Sequence, residues 1–297
     1  QACEGLQAVV ETGPDFQRLL ERATQLAALA VLFQRPREAD SVRWLDVGNQ
    51  LRLVESPLDI AQAVQERMLR SKATEAPEAS RRSWIFTSAT LGDDPALRWF
   101  TEPCGLSGAQ VLRVESPFDY PVQGSVYVPR QLPRPADPAH SVQVARLVAD
   151  LAPRIGGRTL VLTTTLRALR QIGEALQQRF GDGTGIEVLV QGQGAKRELI
   201  ERFREGSRHG RQGCILVGSA SFWEGVDMPG DALQLVVIDK LPFPPPNDPL
   251  VEARAGRLET QGRSPFADYF IPEAAMALKQ GAGRLIRRES DRGELVL

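Results

Sequence analysis

Between residues 159 and 238 the chain holds four short, mostly apolar runs, at 159–162, 186–190, 214–217 and 235–238, spaced by segments whose apolar residues recur at helical intervals. No other feature constrains the fold as much. Runs of four or five mostly apolar residues without regular polar alternation suit strands buried on both faces. Between them, residues 166–180 set Leu169, Ile172 and Leu176 on one side of a helix, residues 196–203 form a second helical stretch, and a third over 141–155 leads in. Strand and helix in alternation predict a parallel sheet wrapped by helices, a doubly wound α/β domain. A further strand is expected at 125–128, inside the proline-rich stretch 121–138 that reads as the connector into this domain.

The earlier residues are patterned differently. Leu6, Val9, Val10, Phe16, Leu19, Leu20, Leu26 and Leu29 follow helical spacing with a break at Gly13-Pro14, so helices without strands are expected over 6–33. Two strand-like runs flank Asn49-Gln50, helical spacing returns over 59–70, and the charged, Ala- and Glu-rich stretch 72–82 reads as a loop. Residues 84–86 are expected to form a short buried strand ending at Thr87-Ser88-Ala89-Thr90.

Composition narrows the function classes. No run of about 18 apolar residues exists to cross a bilayer, and the N-terminus lacks the basic-then-apolar pattern of a secretory signal. Cys3, Cys104 and Cys214 are widely scattered, which fits a reducing cytoplasm better than a disulfide scaffold and lacks the close spacing of metal or cluster ligands. His140 and His209 stand apart from other metal-type residues and read as surface histidines; no Ser-His-Asp order or zinc spacing is present. The net charge of −1 carries no basic excess, so any nucleic-acid contact must come from a local stripe.

The chemistry gathers in two places. Residues 280–288 read Gln-Gly-Ala-Gly-Arg-Leu-Ile-Arg-Arg. If they are helical, Gln280, Arg284 and Arg287 fall at i, i+4 and i+7 and stack on one face. Guanidinium groups hold multi-oxygen anions by paired hydrogen bonds and stay charged, which suits a nucleotide triphosphate. A solvated basic helix end is the plain structural reading. Gly281 and Gly283 each cost about 1 kcal/mol in a helix interior relative to Ala, so they call for a reason such as close backbone approach. Upstream, the run 214–217 leads into Gly-Ser-Ala-Ser-Phe-Trp-Glu-Gly-Val-Asp-Met-Pro-Gly at 218–230, small polar residues and carboxylates where a parallel sheet builds a site at its carboxyl edge. Phe222 and Trp223 fit either core packing or stacking on bases.

In this order the two segments resemble motifs V and VI of superfamily 2 helicases, specifically the DinG, YoaA and XPD group of ATP-dependent DNA helicases. Thr87-Ser88-Ala89-Thr90-Leu91 is similar to that family's motif III. The resemblance runs from about Ser41 to the end. It implies that residues 116–297 are the second RecA-like helicase domain, 41–115 the carboxyl-terminal part of the first, and 1–40 the end of the helical Arch insertion. Opening at Gln1 and closing in the apolar run 295–297, without a Gly-x-x-x-x-Gly-Lys-Ser/Thr loop or an acidic metal box, the chain reads as the carboxyl-terminal portion of a longer helicase.

The resemblance also implies roles. Arg284 and Arg287 would reach the γ-phosphate of ATP held by the other domain, with Gln280 nearby; such an arginine is worth roughly 10³ to 10⁵ in rate. Glu224, Gly225 and Asp227 would couple nucleotide state to DNA grip, although Glu224 and Asp227 fit a helix cap or pairing with the arginines equally. Ser88 and Thr90 would serve the triphosphate relay or the DNA backbone, with a buried Ser-Thr turn as the structural reading. Thr163, Thr164 and Thr165, in a place similar to motif IV, and Ser219 would contact single-stranded DNA, positioning its phosphates without reading sequence. ATP and Mg²⁺ are the expected cofactors of the parent, with 5′ to 3′ translocation. An iron-sulfur cluster belongs to the missing part if anywhere, and neither cluster nor metal is expected here. The expected setting is a cytoplasmic monomer on single-stranded DNA, with a replication-machinery subunit as a further partner the resemblance admits and the portion alone inactive. The other readings are a non-catalytic RecA-like nucleic-acid-binding module and an unrelated doubly wound nucleotide-sugar transferase.

Overall fold

Pro14 opens a long helix because at the first helical position its missing N–H costs nothing and its φ is already helical. The computed structural model that shows this describes residues 1–48, 50–69, 83–92, 94–181, 184–206, 213–223 and 232–297. The chain divides into two units, one made of Gln1–Ser83, Glu102–Leu106 and Pro245–Pro265, the other of Trp84–Thr101, Ser107–Pro244 and Phe266–Leu297.

The first unit carries α1 (Ala2–Gln7) and α2 (Pro14–Gln34), then a hairpin of β1 (Ser41–Val47) and β2 (Leu51–Pro57), the short α3 (Ala61–Val64), and α10 (Pro249–Thr260). The hairpin is antiparallel and in register from Ser41↔Pro57 to Val47↔Leu51. Glu55 ties it together, accepting from Ser41 Oγ at 2.8 Å and forming an ion pair with Arg43, whose Nε lies 3.1 Å away, and these partners hold its carboxyl below the usual carboxylate range. Asp248 caps α10 by accepting from the amides of Leu250 and Val251, and Arg257 reaches Asp40 at 3.4 Å. The apolar stripe of α2 forms as its spacing predicts, yet Phe16, Leu19, Leu26 and Leu29 remain exposed.

The second unit is built on a six-stranded sheet in the order β3-β8-β7-β4-β6-β5, parallel at every pairing. Its elements run α4 (Arg98–Thr101), α5 (Tyr120–Gln123), β3 (Gly124–Tyr127), α6 (His140–Leu151), β4 (Thr159–Leu162), α7 (Leu166–Arg179), β5 (Ile186–Val190), α8 (Lys196–Arg204), β6 (Gly213–Gly218), α9 (Ala220–Trp223), β7 (Leu235–Ile238), α11 (Ile271–Ala282) and β8 (Gly293–Val296). The expected strands at 159–162, 186–190 and 235–238 form with those bounds, and Leu295 and Val296 of the run ending the chain lie in β8.

Both faces of the central strands β4, β6 and β7 are covered, which is why they are almost wholly apolar. Val161, Ile215, Val217 and Val237 pack against Val144 and Val148 of α6 and Leu169, Ile172 and Leu176 of α7. Leu160, Leu162, Leu216, Val236 and Ile238 point the other way, into Leu199 and Phe203 of α8 and Phe222 and Trp223 of α9. Phe222 and Trp223 are thus core residues, 1% and 5% exposed, and not a stacking platform. Burying each such Leu or Ile contributes about 1.5–3 kcal/mol.

Residues 84–86 do not form the expected buried strand. Trp84 and Ile85 are exposed, and the stretch is paired with no strand among the described residues. A buried strand needs a neighbouring ladder to take up its amides and carbonyls, and none of the described strands offers one here.

Candidate functional site

The helical premise for the arginine stripe is overturned. α11 ends at Ala282, and Arg284 and Arg287 lie beyond it in a turn and an irregular stretch. Gln280 alone of the three is helical. The glycines account for the stop. A Cβ on Gly281 would lie 2.9 Å from Cε3 of Trp223 and 3.2 Å from Cδ1 of Leu162, so bare backbone is what lets the helix end approach the carboxyl end of β4. With both glycines lowering helix propensity there, local hydrogen bonds win over a further helical turn.

Those bonds shape the arginine segment. Arg284 donates from Nε and Nη2 to the carbonyl of Trp223, at 3.1 and 2.6 Å. The backbone amides of Arg287 and Arg288 both donate to Oδ2 of Asp291 at 2.9 Å. From the other side, Gln123 Nε2 donates to the carbonyls of Arg288, Glu289 and Asp291 at 2.9, 3.1 and 3.2 Å. Gln123 and Asp291 are buried, Arg284 and Arg287 half-buried, and Arg288 exposed. Sequence reasoning missed both clamp residues. A Ser-Asp turn signal at 290–291 could have shown Asp291, whereas nothing local points to Gln123.

A second group gathers at the carboxyl edge of the sheet, where the chain departs from β4 to one side through α7, β5 and β6 and later returns to the other side as β7. Thr163 is fully buried and donates from both its amide, at 2.8 Å, and its hydroxyl, at 3.3 Å, to the carbonyl of Gly218. It is a strut between strands. Thr164 N–H donates to Oδ1 of Asp239 at 3.0 Å, while Thr164 Oγ1 is buried with no hydrogen-bond partner among the described residues. Thr165 is exposed and caps α7, its Oγ1 accepting from the Ala168 amide at 3.2 Å. Thr165 thus stands exposed at the positive end of a 14-residue helix, a position that favours anions. Ser219 donates from N and Oγ to Oε1 of Gln191 at 2.7 and 3.0 Å.

His140 is not a surface residue. It is buried, with Nδ1 2.8 Å from the Pro133 carbonyl and Nε2 2.8 Å from the Asp239 carbonyl. The latter partner is 99 residues away, so sequence offered no sign of it. His209 lies outside the described residues. Asp239 is itself buried, and burial pushes its carboxyl above the usual carboxylate range despite the Thr164 amide, Lys240 and His140. The folded state therefore holds this proton more tightly than the unfolded chain, and the stabilising contribution is lost as pH rises from the ordinary carboxylate range through the raised value. Asp239→Asn removes that loss. The melting temperature of the variant relative to wild type should climb across this pH interval, and a constant difference would contradict the assignment.

Ser88 is exposed and Thr90 half-buried, and they bond each other, Oγ to Oγ1 at 3.2 Å, with the Thr90 amide donating to Ser88 Oγ at 3.1 Å. Glu224, Gly225 and Asp227 lie outside the described residues. Among the described residues no three His, Cys, Asp or Glu converge as metal ligands, and no helix is long and apolar enough to cross a membrane.

Against known proteins, residues 148–297 match the helicase C-terminal domain family. The ATP-dependent DNA helicase YoaA of Escherichia coli is 38% identical over 82% of this chain and 35% of its own length. The ATP-dependent helicase DinG of Mycobacterium tuberculosis is 37% identical over 72% of this chain and 32% of its own. A solved XPD helicase structure aligns at 20% identity over 59% of this chain and 31% of its own, with a TM-score of 0.42. The chain thus spans about a third of the length of the curated relatives it matches.

Proposed function

The chain belongs to the family of helicase C-terminal domains, among relatives of the DinG and YoaA kind, and on that premise we propose that it is the carboxyl-terminal motor portion of an ATP-dependent DNA helicase. In this reading residues 116–297 are the second motor domain, 41–115 complete the first, and 1–40 end a helical insertion. One observation carries the proposal: the main chain at Arg287 and Arg288 is fixed from two sides by buried groups, at the end of a helix that approaches the carboxyl edge of a parallel sheet.

A fixed guanidinium suits phosphoryl transfer, where catalysis is mostly positioning and neutralisation of charge. ATP supplies the phosphoryl group, and the phosphate loop and metal box would come from the rest of the parent. Arg287 would neutralise charge building on the phosphate oxygens. Arg284 would tie that event to α9 through the Trp223 carbonyl, and so to the segment holding Glu224, Gly225 and Asp227. The nucleotide would favour domain closure because these contacts exist only when closed, and hydrolysis would release them.

Thr165, the amides opening α7 and Ser219 would meet the phosphates of single-stranded DNA during 5′ to 3′ translocation. The buried Thr163 and the half-buried Thr164 would support that edge.

For the portion alone, no multiple turnover of ATP is expected, and only weak single-strand binding that falls steeply with salt. A phosphate-release assay and fluorescence anisotropy with an oligothymidylate at 50 and 200 mM salt check this. Sustained turnover by the 297-residue chain would contradict the assigned division of labour.

A further inference from the structure

The side chain of Gln123 ends a short helix before the edge strand β3, far in sequence from the arginines, yet it is 4% exposed and spends its amide protons on three carbonyls of the segment 288–291. A side-chain amide carries two N–H donors and one acceptor, and a carbonyl can only accept. The Nε2 assignment is thus the one orientation that satisfies this site. On the opposite side of the same turn, the Asp291 carboxylate takes the amides of Arg287 and Arg288. Donors into the carbonyls and an acceptor onto the amides leave the main chain of the turn one arrangement, because any other strands buried polar groups.

We propose that Gln123 is a positioning residue for ATP hydrolysis, acting through the arginine turn that it and Asp291 clamp. The inference rests on the role proposed above for Arg287, and it adds a residue outside the segments that carry the family resemblance. Gln123 touches no reacting atom in this account. It fixes the direction in which the chain presents Arg287, and small misplacement of a charge-neutralising group costs on the order of 10²-fold in rate.

Two variants in the full-length parent protein test it. Gln123→Glu keeps the shape but sets a second acceptor oxygen against three carbonyls. Gln123→Met keeps the volume and removes the donors. The expected order of DNA-stimulated kcat is wild type, then Met, then Glu, with Glu lower by about 10²-fold, KM for ATP little changed and oligothymidylate affinity unchanged. Limited trypsin digestion of the 297-residue chain reads the clamp directly, since cleavage after Arg287 and Arg288 should accelerate relative to other sites in the same order. Unchanged cleavage in both variants overturns the clamp. Accelerated cleavage with normal kcat overturns the positioning role. If Arg287→Ala itself turns over normally, the underlying reading has failed, whereas a dead Arg287→Ala beside a normal Gln123→Glu sinks this inference alone.

Discussion

Arg287→Ala in the full-length parent is expected to lower DNA-stimulated ATP turnover by about 10³-fold or more, with the fold and the single-strand affinity retained. The size of the effect follows from the chemistry assigned to the side chain. Charge building on transferring phosphoryl oxygens is met by a group already in place, so no reorganisation accompanies the step. The structure supplies the fixed main chain this requires, through Asp291 and Gln123. Folding should be little affected, because the amides at 287 and 288 bond Asp291 whatever the side chain. Arg287→Lys should recover only part of the rate, since an ammonium lacks the planar fork. The readout is steady-state ATPase with saturating oligothymidylate, alongside a thermal melt. Turnover near wild type in a well-folded variant would remove Arg287 from the mechanism.

Gly281→Leu is expected to destabilise the 297-residue chain and lower its melting temperature by several degrees. Two effects oppose each other. Leucine gains about 1 kcal/mol of helix propensity over glycine. Against this, even the first side-chain atom would meet the Trp223 ring at 2.9 Å, and that residue is 5% exposed and packed in the core. Overpacking of a filled core costs about 1–3 kcal/mol for far smaller insertions than an isobutyl group, so the clash wins. The helix end would be pushed from the sheet and carry the arginine turn with it. A melting temperature at or above wild type would show that glycine is there for some other reason.

Much of the second unit was legible in the sequence because its signals are local. Apolar runs such as 214–217 and 235–238 mark strands buried on both faces, and Leu169, Ile172 and Leu176 mark the face of α7 that packs on them. Close approach as the reason for a helical glycine was also legible, and Gly281 meets it against Trp223 and Leu162. The arginines show where this kind of reading stops. Their spacing fits a helical stripe, but spacing cannot register that Asp291 offers the amides of 287 and 288 a better partner than a continued helix would. Residues whose meaning depends on distant partners were invisible. His140 looked solitary until Asp239 came beside it, and Gln123 acquires its role from carbonyls 165 to 168 residues away. Residues 84–86 failed for the converse reason, an apolar triplet without a ladder to join.

The central claim is that Arg287 serves the transition state for phosphoryl transfer. It is tested most directly by the affinity of the DNA-bound full-length parent for ADP with aluminium fluoride, a mimic of the transferring phosphoryl group, compared between wild type and Arg287→Ala. The account predicts that the variant loses at least about 10²-fold in affinity for the mimic while binding ADP alone as wild type does. Equal affinity of the two proteins for the mimic would contradict it.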